Sequence, residues 1–78
     1  MSIASFEGRN VYRIDYTALE QVRDGGITKE AVAFFVAPSI AEAIAGLEES
    51  LAPVVPTVMN VTLAMEGEDL KYKVTVLN

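Results

Sequence analysis

The sequence predicts an α+β domain of ββαββ order, a four-stranded antiparallel sheet arranged 2-1-3-4 with one helix on one face. Three observations carry this. Apolar and polar side chains alternate with period two in the segments before and after the middle of the chain. A Gly-Gly pair separates the first two apolar runs. Between the runs, a serine cap opens a segment whose apolar residues recur every three or four positions.

The first strand is expected over about residues 10–19, after an N-terminal segment 1–9. Tyr12, Ile14, Tyr16 and Ala18 alternate there with Arg13, Asp15 and Thr17, as in a strand with one buried face. In Arg23-Asp24-Gly25-Gly26 the glycines can adopt the positive φ of a tight hairpin. A two-residue turn at Asp24–Gly25 places Glu20 opposite Lys29, Tyr16 opposite Ala33 and Ile14 opposite Phe35. Val32, Phe34 and Val36 then occupy the other face, and a one-residue slip exchanges the two sets. The second strand, about 29–37, is apolar on both faces in either register.

The helix is expected over about 39–52. Ser39 and Glu42 form a capping box, and Glu42 also meets the positive end of the helix dipole. Ile40, Ala43, Ile44, Leu47 and Leu51 make the inward stripe, with Glu42, Ala45, Glu48 and Glu49 outward. Pro53 stops the helix, and Gly46 permits close approach to the sheet. Strands at about 57–66 and 69–77 read as a hairpin about Gly67–Glu68. That turn pairs Met65 with Leu70, Leu63 with Tyr72 and Val61 with Val74.

Composition narrows the function. The 78 residues suit one domain, 51% of them are apolar and 22% charged, and the formal charge is −5. There is no histidine, cysteine or tryptophan, so the usual general base, thiolate nucleophile and commonest metal ligands are missing. Ser39 is better employed as a cap than as a nucleophile. Glu66, Glu68 and Asp69 cluster at the expected hairpin tip without the spacing of a calcium loop. A non-enzymatic protein with no metal and no cofactor is therefore expected. An acidic chain argues against binding nucleic acid through phosphates. No signal peptide or membrane-spanning segment is evident, so a cytoplasmic location is expected.

Three sets of residues remain as candidate sites. If one helix covers one face of the sheet, the second strand leaves either Val32, Phe34 and Val36 or Phe35 with its alanine neighbours outward on an open edge. Such a stripe suggests self-association as a homodimer. Glu42, Glu48 and Glu49 on the helix, with Glu66, Glu68 and Asp69 on the hairpin, are candidates for meeting a basic protein partner. Arg13, Lys71 and Lys73, placed on the face away from the helix with Thr17, Asn60, Thr62 and Thr75, could hold an anionic ligand.

The run from Glu30 to Ile44, a strand passing through a serine cap into a helix, together with its flanking hairpins resembles small ββαββ accessory proteins of bacteriophages and mobile elements. That broad class includes some anti-CRISPR and host-inhibitor proteins. The resemblance is architectural. It implies a stoichiometric protein-binding module that inhibits or tethers a host protein, and it assigns no residue a role. Alternatives are an oligomer that sequesters a small anionic ligand and a structural subunit of a larger assembly.

Overall fold

A computed structural model describes residues 5–6, 8–22, 25–65 and 74–76. Its elements are β1 (Ser5–Phe6), β2 (Arg9–Val22), β3 (Gly25–Val36), α1 (Ile40–Leu51), β4 (Thr57–Leu63) and β5 (Val74–Val76). The α+β class and the single helix match the sequence expectation.

β2 and β3 form a long antiparallel hairpin at the centre of the sheet, running from Val11↔Val36 to Val22↔Gly25. Val22 pairs with Gly25, so the hairpin closes one residue earlier than the expected Asp24–Gly25 turn, and Tyr16 faces Ala31 and Ile14 faces Ala33, two positions from the predicted partners. A shift of two preserves the faces. Gly25, at φ +133°, supplies the backbone freedom that the sequence suggested near the turn. Upstream, Gly8 at φ +79° lets the chain reverse so that β1 pairs with the start of β2 through Phe6↔Arg9. This short strand falls in the N-terminal segment 1–9, where the sequence carries no period-two signal.

After α1 the chain enters β4, antiparallel to β2 from Tyr12↔Leu63 to Thr17↔Thr57. The expectation that the third predicted strand lies beside the first is met. The fourth does not follow it into a hairpin. β5 instead pairs in parallel with β3, through Phe34↔Val74, Phe35↔Thr75 and Val36↔Val76. The four predicted strands therefore lie in the order 3-1-2-4 and the sheet is mixed. The expected Val61–Val74 pair is replaced by Val61 facing Ile14 and Val74 facing Phe34. Leu70 and Tyr72, the other two hairpin partners, lie outside the described residues. The physical reason is that period-two alternation marks a strand without naming its partner. β4 pairs with β2, and β5 takes the edge of β3 away from β2.

The core has two parts. Tyr12, Ile14, Phe35 and Ala37 pack against Ala43 and Leu47 of α1, with Ile44, Leu51, Val58, Val61 and Leu63 around them. Alternation along β2 and β3 sends Val11, Phe34 and Val36 to the opposite face, where they are buried with Ala64. The Ser39 hydroxyl caps α1, accepting from the Glu42 amide at 3.2 Å, while the Glu42 carboxylate accepts from that hydroxyl at 3.5 Å. Glu42, Ala45, Glu48 and Glu49 are exposed as expected. Ile40, the first residue of the predicted stripe, is also exposed, because the helix meets the sheet only from Ala43 onward.

Candidate functional site

β2 and β3 outrun their neighbours. β4 reaches β2 only as far as Thr17, and β5 meets β3 only at Phe34–Val36. Among the described residues, Ala18–Val22 and Gly25–Glu30 therefore form a two-stranded arm with no strand on either side. Gly25–Glu30 is exposed throughout. Leu19 and Ile27 are 47% and 46% exposed. Alternation and the Leu19↔Thr28 and Glu20↔Ile27 pairings put them on opposite faces of the arm. Lys29 bonds Glu20 diagonally across the arm at 2.7 Å. This is the contact that the sequence suggested, reached through a different register.

At the root of the arm, on the face away from α1, lies an open groove of about 420 Å3. Arg13 and Asp15 of β2, Glu30 and Val32 of β3, and Met59 of β4 line it, with Tyr16 and Ala31 at its floor. A β-bulge shapes it. Asp15 faces Asn60 while Tyr16 faces Val58, so Met59 is the extra residue and is 65% exposed. By strict alternation along the sequence, Met59 would fall in phase with Val61 and Leu63. The signal that could have shown the bulge is Val58, an apolar residue out of that phase that packs against the helix-side core.

Arg13 Nε lies 3.3 Å from Asp15 Oδ1, with both side chains about one-third exposed. Glu30 is exposed, and no described side chain bonds its carboxylate. Among the described residues, the lining thus sets two carboxylates against one guanidinium, beside the apolar surfaces of Met59 and Val32. Arg13 occupies the helix-distal face as expected, with Thr17, Asn60 and Thr62. Thr75 does not, because it pairs with Phe35 on the helix side. Lys71 and Lys73 lie outside the described residues, as do Glu66, Glu68 and Asp69.

The expected apolar stripe on β3 is not exposed. Phe34 and Val36 are 4% and 0% exposed, Phe35 is buried against α1, and Val32 is partly covered. Two features overturn the expectation. β5 occupies the edge at Phe34–Val36, and both faces of the sheet are buried at that end. Glu42, Glu48 and Glu49 are exposed on α1, away from the groove lining. Among the described residues, no group of three or more acidic side chains converges as a metal site would, and no helix is long and apolar enough to cross a membrane.

No family model matches the chain, and neither a characterised protein nor a solved structure shows significant similarity to it.

Proposed function

We propose that this protein is a non-enzymatic, cytoplasmic binding module that grips a protein partner with its β2–β3 arm and so inhibits or tethers it. The observation that carries the reading is the arm itself. A two-stranded ribbon with exposed Leu19 and Ile27 is marginal alone and gains most from a partner that pairs with its edge or covers its apolar side chains. The formal charge of −5 favours a partner that is locally basic. The resemblance to bacteriophage accessory proteins agrees with such a role and names no target.

The test is affinity capture from lysate of the producing cells, comparing the native chain with a Leu19→Asp/Ile27→Asp variant. The expected result is a protein retained by the native chain and lost by the variant, with the binding then reproduced between purified components. Retention of the same protein by the arm variant and its loss on Glu42→Lys/Glu48→Lys/Glu49→Lys would move the site to the helix. Light scattering on the purified chain reads the homodimer directly. A dimer dissolved by the arm variant makes a second copy the partner.

A further inference from the structure

Resting on that reading, we infer that the groove at the root of the arm receives a lysine or arginine side chain from the partner. The groove opens on the same strands as the arm, so a chain lying along the exposed part of β3 passes its mouth. Chemically it matches a long basic side chain. Met59, pushed out by the bulge, and Val32 flank the space with apolar surface suited to an alkyl stem. Beyond them stands Glu30. Its neighbour Lys29 points to the other face and is taken by Glu20, and Arg13, the one cation among the described residues of the lining, lies beside Asp15. A cation seated in the groove shares its lining with the carboxylates of Glu30 and Asp15. An anion in the same place meets both as repulsion. Glu42, Glu48 and Glu49 offer charge without such a recess.

The experiment is a 15N–1H NMR titration of the full chain with Nα-acetyl-arginine N-methylamide, with Nα-acetyl-norleucine N-methylamide as the uncharged counterpart. The expected result is a set of amide shifts centred on Asp15, Glu30, Val32 and Met59 with the arginine compound and none with the norleucine compound. Glu30→Gln, an exposed and isosteric change, should weaken binding about three- to five-fold. Met59→Ala should weaken it too, without altering the spectrum elsewhere. Shifts centred on Glu42, Glu48 and Glu49, no localised shifts, or the same response from Glu30→Gln overturns the inference. Failure here stays distinct from failure of the arm. A silent groove with capture still lost in Leu19→Asp/Ile27→Asp removes the groove alone, whereas a responsive groove with unchanged capture removes the arm.

Discussion

The two ends of the β2–β3 hairpin share one ladder but live in different environments. Near Val11, Tyr12, Phe35 and Val36 the hairpin is flanked by β4 on one side and β5 on the other, and apolar clusters bury both of its faces. Beyond Thr17 and Gly25–Glu30, among the described residues, it has neither flanking strand nor cover. Backbone pairing is continuous across both ends, so the difference lies in side-chain burial. At about 25 cal/mol per Å2 of apolar surface removed from water, the buried end supplies the stability and the arm adds little. An element that contributes little to the fold is free to serve a partner.

Substitutions should separate the two ends, and the largest effect belongs at the buried one. Phe34→Glu removes core packing worth about 3–5 kcal/mol and places a charge where nothing described compensates it. A domain of this size has a stability of about 4–12 kcal/mol in all, so circular dichroism should show loss of the cooperative unfolding transition. A folded Phe34→Glu monomer would return this residue to the surface. Ile14→Ala, fully buried beneath the helix, should lower stability by about 2–5 kcal/mol in urea titration. Ser39→Ala should cost about 1 kcal/mol by losing the bond to the Glu42 amide. At the other end, Leu19→Asp/Ile27→Asp should shift stability by less than about 1 kcal/mol. Native-state hydrogen exchange should find the amides of Ala18–Val22 and Gly25–Glu30 exchanging well before those of Val11–Ile14 and Phe34–Val36. Equal protection at both ends would erase the distinction.

How much of this was legible in the sequence follows the range of the interactions. The cap at Ser39, the facing of Tyr12, Ile14 and Phe35, and the turn glycines are local or depend on period, and they were readable. The partner of β5 was not, because Leu70, Tyr72, Val74 and Val76 alternate in a way that suits either β4 or the far edge of β3. Only the three-dimensional sheet distinguishes these, and with the choice of β3 went the idea that Phe34 and Val36 lie open. The groove was half legible. Arg13 was placed on the correct face, but Asp15 and Glu30, which share its groove, carried no signal that would single them out. The bulge that brings Met59 to them breaks the alternation on which the strand was recognised.

The Glu20–Lys29 pair has a further consequence. At 59% and 50% exposure its contribution to stability is small. Its position is what counts, because a ribbon with no flanking strand among the described residues is a template on which copies of the chain can stack. Charges of opposite sign on neighbouring strands, with Glu30 on the reverse face, make each approaching copy bury ions in an awkward register. Neutralising all three should leave the melting temperature nearly unchanged and shorten the time the protein stays clear in concentrated solution. The pair guards colloidal lifetime more than the fold.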